Sequence, residues 1–431
     1  MQAASLHSSR PGYRAETAGA EQTFPSGSRS LLAGAAVLGG VFFCEEVWGW
    51  GAAKGKVADA REFGVESAPY LAHETYTQRS AVPSHTVVDS IGRTPLLELK
   101  RLNTNPKARV FVKVEFVNPS GSIKDRVAKH IIETFETQGL LKPGGVIVEN
   151  SSGNTAAGVA MIAALKGYRA ILVVPHKCSQ EKVAALRAYG ARVVVAPPGV
   201  DHSHPHHYEN LAKLLEAEIP GAVRLDQYNN QLNVEAHYMT TGPEIWRQTD
   251  GTVSHFVCGA STGGTISGVG RYLKDVSGGT VRVVAADPQG SMILPRVKTG
   301  QCVKSPGATQ IEGIGKDYQV ACTHYDVIDD AIFVPDRCAF DTARRMAQEE
   351  GIMCGISSGA NVYAALELAK SATEPTTIVT VLPDGGTKYF SKIFNPTFLL
   401  SHHLITQDQS ETMTSTDSVD SINQLIAEFS L

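Results

Sequence analysis

From about residue 85 to 395 the chain alternates between two hydrophobic rhythms. Short continuous apolar runs, RVFVKVEF, GVIVEN, AILVVP, RVVVAP, HFVCGA, VRVVAADP and TIVTVLPD, predict strands. Because apolar residues there fill successive rather than alternate positions, such strands should be buried on both faces of a parallel sheet. Between them, apolar positions recur three and four residues apart and predict helices at 124–139, 154–166, 179–189, 207–218, 264–274, 335–350 and 359–370. Alternation of this kind implies βαβ units with right-handed crossovers, so the expected class is α/β, open parallel sheets with flanking helices. No repeat of fixed period appears. In such sheets ligands bind beyond the C-terminal strand ends, where helix N-termini converge. The strand-to-helix turns are therefore the places to look for chemistry.

The ends of the chain read differently. Residues 1–80 form an extension whose first 30 are rich in Ser, Ala, Gly and Arg. LLAGAAVLGGVFF, Leu31 to Phe43, is an apolar run of 13 that Glu45 and Glu46 interrupt. A spanning helix needs roughly 20 residues, so the run suits the core of a targeting signal or a short membrane anchor. Arg10, Arg14 and Arg29 favour an organellar presequence, and Glu16 and Glu21 count against it. Mitochondrial targeting is the reading adopted, with a membrane tether or a cytoplasmic location as alternatives. The tail, 401–431, is polar and is expected to be a flexible surface segment ending in one short amphipathic helix.

Composition narrows the function. With 39 basic and 43 acidic residues the net charge is −4, and no nucleic-acid partner is expected. A hydrophobic content of 42% with 40 glycines describes an ordinary globular protein. Cys44, Cys178, Cys258, Cys302, Cys322, Cys338 and Cys354 are odd in number, scattered and without a CxxC pair. They read as free thiols of a reducing compartment rather than a disulfide framework.

Among the turns, NPSGSIKDRVAKHII (Asn118 to Ile132) sets Lys124 in the first turn of a helix, where a cation opposes the helix dipole. Ser122 and Asp125 resemble a capping box, and Ile123, Val127, Ala128, Ile131, Ile132 and Phe135 form the apolar stripe. A solvated lysine at a helix start is the plain reading. SSGNT, Ser151 to Thr155, places hydroxyls, an amide and a glycine at a second helix N-terminus, more than one cap requires. ASTGGTISG, Ala260 to Gly268, has the composition of a phosphate cradle but is neither a Walker loop nor GxGxxG. GISSGANV (Gly355 to Val362) opens another helix with small residues, and EGIGKDY (Glu312 to Tyr318) reads as a loop that closes over a substrate or simply turns. HSHPHH, with His202, His204, His206 and His207, matches no zinc spacing and reads as a solvated loop, so no metal is expected. A lysine, an anion cradle and a phosphate cradle on one α/β scaffold suggest a phosphorylated carbonyl cofactor. A lysine forms a Schiff base best where its ammonium is disfavoured, which is what the dipole conflict supplies.

These motifs resemble the cysteine synthase and cystathionine β-synthase family of pyridoxal-phosphate enzymes, over about residues 85 to 395. IGRTPLLEL, NPSGSIKDR, SSGNT, QYNNQLNVEAHYMTTGPEIW, STGGT, EGIGKDY and GISSGA stand in the family's order. The resemblance implies fold type II, the tryptophan synthase β-like arrangement of two lobes. A catalytic domain would span 81–400, with a smaller mobile lobe at about 118–228. It also implies that Lys124 holds pyridoxal 5'-phosphate as an aldimine and then acts as the base. Asn154 would meet the ring hydroxyl, and Ser261, Thr262, Gly263, Gly264 and Thr265 the phosphate. Ser357, or the adjacent Ser358, would meet the pyridine nitrogen. Ser151, Ser152, Thr155 and Gln227 would bind the substrate carboxylate. The implied reaction makes L-cysteine from O-acetyl-L-serine and sulfide through an aminoacrylate, in a homodimer.

The sequence departs from the family in Ser261, Ala156 and Asn150, where two glycines and a proline are usual. DPQGS (Asp287 to Ser291) and GIGKDY look more like cystathionine β-synthase, and GISSGANV and HYMTTGPEIW more like cysteine synthase. The haem-binding segment of some cystathionine synthases has no counterpart, and the tail is too short for their paired regulatory domain. Cysteine synthase is therefore the expectation. Replacement on serine with homocysteine, and a scaffold that keeps the cofactor without turnover, are the alternatives.

Overall fold

Seven of the apolar runs become strands, and three further strands appear at sheet edges. The computed structural model describes residues 85–151, 153–176, 178–200 and 203–414. The chain divides into Met1–Lys56, which lies outside these residues, and Val57–Leu431, which contains them all. The apolar run 31–43, on which the expectation of a targeting signal or anchor rests, Ser152, His202 and the end of the tail also lie outside them.

The strands are β1 (Leu96–Glu98), β2 (Ala108–Val114), β3 (Val146–Glu149), β4 (Arg169–Val174), β5 (Arg192–Val195), β6 (Ala222–Arg224), β7 (His255–Gly259), β8 (Arg282–Pro288), β9 (Asp330–Val334) and β10 (Thr376–Leu382). A six-stranded sheet runs β1-β2-β10-β7-β8-β9, and a four-stranded sheet runs β5-β4-β3-β6. The smaller sheet is wholly parallel. The larger one departs from expectation at one edge, where β1 pairs antiparallel with β2, Leu97 opposite Val112. The strands that the hydrophobic pattern misses, β1, β6 and β9, are all edges. An edge strand is covered less completely, so it needs no continuous apolar run. Leu97 and Phe333 are exposed accordingly.

Helices follow the strands in chain order: α1 (Lys124–Thr137), α2 (Asn154–Lys166), α3 (Gln180–Ala188), α4 (Tyr208–Glu218), α5 (Leu232–Ala236), α6 (Gly242–Gln248), α7 (Gly264–Ser277), α8 (Ile293–Thr299), α9 (Asp336–Glu350), α10 (Ile356–Lys370), α11 (Pro396–Ser401) and α12 (Gln407–Thr414). A π turn, His237–Thr241, joins α5 to α6. The expected capping box of α1 is not formed. Asp125 instead reaches back to Ser120, accepting from its backbone N at 2.7 Å and from its hydroxyl, and so closes the 120–124 loop on itself. The chain also stays packed beyond residue 400. Leu404 and Ile405 are buried in the larger core, and α12 follows them, so this part of the tail is not a free surface segment.

The α1 segment straddles two cores. Ile123 packs with Phe256, Ile266 and Val381 against the larger sheet. Val127, Ala128, Ile131 and Ile132 pack with Ile147, Ile162 and Leu172 under the smaller one. Between the two lies a buried set of four charges. Arg126 holds Glu244 through two 2.8 Å bonds and Glu115 through bonds of 2.8 and 2.9 Å. Lys113, without any exposed surface, bonds Glu244 at 2.7 Å and the Thr94 carbonyl at 2.6 Å. Glu244 also accepts from the Arg93 amide at 2.9 Å, which fastens the IGRTP segment. Gly92 is needed here, because its φ is +86° and a Cβ would lie 2.9 Å from Arg126 Nη1. Two cations and two anions cancel, and the surrounding donors and acceptors replace the water they lose.

Breaking this set should unfold the protein readily. Arg126→Met leaves two buried carboxylates facing Lys113 alone and is expected to cost about 3–5 kcal/mol in urea denaturation. Lys100→Met, which removes an exposed partner of Glu98, should barely move the midpoint.

Candidate active site

Lys124 is the first residue of α1, and the loop before it is moored to the end of β10. The Ile123 amide donates to the Pro383 carbonyl at 2.9 Å, and Ser122 forms a bridge with Asp384. The residue is half-buried, and among the described residues its Nζ makes no hydrogen bond or ion pair. Desolvation dominates and pushes the Lys124 pKa below the usual lysine value. The opposing attractions come from Cys258, Cys322 and Asp384. Burial pushes both thiols up to about 12, so they are neutral at physiological pH and offer the amine no counter-charge. Position at a helix N-terminus acts in the same direction. The result is an amine poised to be a nucleophile or base.

The SSGNT turn opens α2 beside this amine. Asn154 Nδ2 donates to Asp384 Oδ2 at 2.8 Å, and Asn154 Oδ1 accepts from Lys388 Nζ at 2.7 Å. Both ends of the amide are held, so it cannot flip, and one Nδ2 hydrogen remains to be offered. Tyr389 donates to the same Asp384 oxygen at 2.7 Å, while Lys388 also reaches the Gly121 carbonyl at 3.1 Å. Thr155, buried, donates to Gln227 Oε1 at 2.6 Å, and Gln227 Nε2 donates to Glu149 at 3.1 Å. Burial pushes the Glu149 carboxyl up to about 7. Ser151 is half-buried and accepts from the Gly153 amide at 3.3 Å. Ser152, assigned to the same turn, is outside the described residues.

The STGGT turn follows β7 and opens α7. Gly263 holds a φ of +87°, and no side chain caps the helix. The amides of Thr265 and Ile266 in its first turn find no acceptor among the described residues. Glycine is required at both central positions. A Cβ on Gly263 would lie 2.2 Å from Thr323 Oγ1, and one on Gly264 would lie 2.0 Å from Asn233 Oδ1. Asn233 Nδ2 donates to the Gln227 carbonyl at 2.6 Å and to Thr262 Oγ1 at 3.1 Å, which links this turn to Thr155 and Gln227. Ser261 stands beside the Tyr228 hydroxyl. Free amides and hydroxyl donors at a helix start, with backbone brought close by glycines, suit a phosphate group.

Ser357 and Ser358 lie in the first turn of α10. Ser358, fully buried, donates to the Asp384 carbonyl at 3.2 Å. The Ser357 hydroxyl makes no hydrogen bond among the described residues and faces Gly313, whose Cβ would lie 3.6 Å from its oxygen. Asp384 thus gathers Ser358, Asn154 and the Lys124 loop, while the Ser357 hydroxyl is turned to the EGIGKDY loop at Gly313. That loop bridges the sheets. Glu312 pairs with Lys392 and, at 3.5 Å, with Lys182 of α3. Lys316 Nζ sits 4.4 Å and 4.0 Å from the ring centroids of Tyr228 and Tyr318.

Asp384, Lys388 and Tyr389 were not singled out in the sequence. The signal was available, because Asp384 ends TIVTVLPD and GGTKYF directly follows it, leaving the C-terminal end of a central strand. The donor set fits a phosphorylated carbonyl compound: a desolvated amine for the carbonyl, an anion cradle for the phosphate, and, among the described residues, an uncommitted hydroxyl and amide hydrogen for ring atoms.

Comparison with known proteins agrees. The pyridoxal-phosphate dependent enzyme family matches residues 87–384. The cystathionine beta-synthase of Apis mellifera is 41% identical over 308 residues, 71% of this chain, which spans only 60% of that protein's length. Cysteine synthase 1 of Emericella nidulans is 38% identical over 321 residues, 74% of this chain and 86% of its own. The cysteine synthase of Staphylococcus aureus is 39% identical over 310 residues, covering 72% and 96%. The crystal structure of an O-ureido-L-serine synthase superposes with a TM-score of 0.68 at 35% identity, over 80% of this chain and 100% of that one. With the match over residues 87–384 and these relatives, the chain belongs to the pyridoxal-phosphate dependent enzyme family, with a fold type II architecture and pyridoxal 5'-phosphate as its cofactor.

Proposed function

We propose that the protein replaces the β-substituent of an amino acid, making L-cysteine from O-acetyl-L-serine and sulfide. The observation that carries this reading is Lys124, a desolvated amine that makes no hydrogen bond among the described residues, together with an anion cradle, a phosphate cradle and a serine hydroxyl likewise without a described partner. When bound, pyridoxal phosphate supplies an electron sink next to the substrate's α-carbon. Lys124 is the point of covalent attachment. With substrate bound, the Lys124 amine would be the base that takes the α-proton, a role that its lowered pKa favours.

The remaining residues bind and orient. Asn154 offers its free Nδ2 hydrogen to the ring oxygen. Ser261, Thr262, Gly263, Gly264 and Thr265 hold the phosphate. Ser357 faces the pyridine nitrogen, a role supported by its uncommitted hydroxyl, since Ser358 is engaged with Asp384. A hydroxyl there, rather than a carboxylate, leaves the ring unprotonated and favours elimination and replacement over transamination. Ser151, Ser152, Thr155 and Gln227 take the substrate carboxylate. The 312–318 loop, tied to Lys182 and Glu209 on the smaller-sheet side, keeps water from the reacting carbon.

The choice of cysteine synthase is supported by the GISSGANV and HYMTTGPEIW segments and by the Emericella nidulans and Staphylococcus aureus relatives. Serine with homocysteine is the second reading, favoured by the Apis mellifera relative and by DPQGS and GIGKDY. Titration of the holoenzyme with O-acetylserine separates them. The visible absorption of the bound cofactor should shift on adding O-acetylserine and return on adding sulfide, with cysteine released. If serine and homocysteine drive the cycle and O-acetylserine does not, the substrate assignment is wrong. If neither pair changes the spectrum, the protein is a cofactor-binding scaffold.

Borohydride reduction should fix the cofactor's mass on the wild-type chain and leave Lys124→Ala unmodified, with turnover lowered about a thousandfold. Gln227→Ala is expected to raise KM for the amino-acid substrate about tenfold while the resting absorption stays that of wild type.

A further inference from the structure

Behind Thr265 stands a buried file of side chains that the reaction has not used. His237, with no exposed surface, opens the π turn His237–Thr241. Its Nε2 lies 3.1 Å from Thr265 Oγ1, and its Nδ1 lies 2.9 Å from Thr241 Oγ1. Gly268 of α7 lets the backbone bearing His237 come close, since a Cβ there would sit 2.8 Å from His237 Cβ and 2.2 Å from the Val234 carbonyl. Single π turns of this kind occur frequently at functional sites.

We propose that His237 is a positioning residue that orders the Thr265 hydroxyl, so that its one hydrogen is offered to the cofactor's phosphate. This rests on the phosphate assignment of the STGGT turn made above. A fully ionised phosphate only accepts, and a threonine hydroxyl has a single hydrogen to give. If Thr265 gives it to the phosphate, it cannot give it to His237, so Nε2 must carry a hydrogen and donate to Oγ1. In a neutral imidazole Nδ1 is then the acceptor, supplied by the Thr241 hydroxyl. The bonds run one way, Thr241 to His237 to Thr265 to phosphate. The imidazole stays neutral because burial above all, with the positive charge of Arg126 adding to it, holds its pKa well below the usual value. Without the ring, the Thr265 hydroxyl could turn inward and its donor would be lost to the anion.

The test compares binding of pyridoxal phosphate with that of pyridoxal, which lacks the phosphate, to apoprotein prepared from the holoenzyme. Thr265→Val should lower the preference for the phosphorylated compound about tenfold, the size of one hydrogen bond to a charged group. His237→Leu should do the same, and the double variant should lose no more than either alone. His237→Gln, whose amide N–H stands in for Nε2–H, should keep most of the preference. Should His237→Leu fail to fold, Thr241→Val leaves the ring in place, removes the donor to Nδ1 and should lower the preference severalfold. An unchanged preference in Thr265→Val overturns the phosphate assignment itself. A lowered preference there, with His237→Leu and Thr241→Val weakening both compounds equally or neither, overturns the role of His237 alone.

Discussion

The site depends on Arg126, two residues beyond the reactive amine. Its guanidinium is clasped by Glu115, at the end of β2, and by Glu244, on α6, while Lys113 completes the set from within β2. The α1 helix has most of its apolar face on the smaller sheet, so packing alone would let it travel with that sheet. The charge set instead ties the first turn of α1 to the larger sheet. A buried ion set is often no more stabilising than apolar packing of the same volume. What it supplies here is direction, because the forked geometry of a bidentate guanidinium allows one placement of the helix start.

Around that fixed point the site is assembled from helix starts and strand ends. Each cradle uses the same physical resource, backbone N–H groups that a helix leaves unbonded in its first turn. α2, α7 and α10 all begin without a side-chain cap. α3 is capped by Ser179, but α4 and α9 also begin uncapped, so it is the small residues of the three turns, and not the missing cap alone, that set the cradles apart. α1 differs from the three cradles, because its start carries a cation where an anion would be favoured. The same dipole that makes α7 suited to a phosphate makes α1 unsuited to an ammonium, and the amine is more reactive for it.

Much of this was legible in the sequence. Strands buried on both faces wrote themselves as continuous apolar runs, and the turns between them carried the small residues of the cradles. What was less legible has a physical reason in each case. The edges β1 and β6 have three residues each and β9 is partly open, so their apolar signal is weak, whereas the edge β5 showed itself as RVVV although it is not buried on both faces. The helices α5, α6, α8, α11 and α12 are too short to build a periodic pattern. Asp125 looked like a cap for α1, yet its carboxylate found the Ser120 amide, a choice decided by loop geometry. Asp384 and Lys388 act on Asn154 across 230 and 234 positions of sequence, a relation no local pattern expresses.

The larger sheet is discontinuous in the chain, and this has a consequence for how the protein is made. β2 lies beside β10, with Ala108 paired to Thr376, and the whole smaller sheet is threaded between them in sequence. Domains generally fold as units during synthesis, N-terminal parts first, and long-range parallel pairing is slow. The smaller sheet, local in sequence, can form as soon as β6 has left the ribosome. β2, paired with β1 on one side, must meanwhile wait with its other edge open for a neighbour made more than two hundred residues later. The loop bearing Lys124 hangs on Pro383 and Asp384, so the reactive amine takes its place only when the last strand arrives. The protein therefore becomes chemically competent only once β10 has been made, when nearly all of the described fold is in hand.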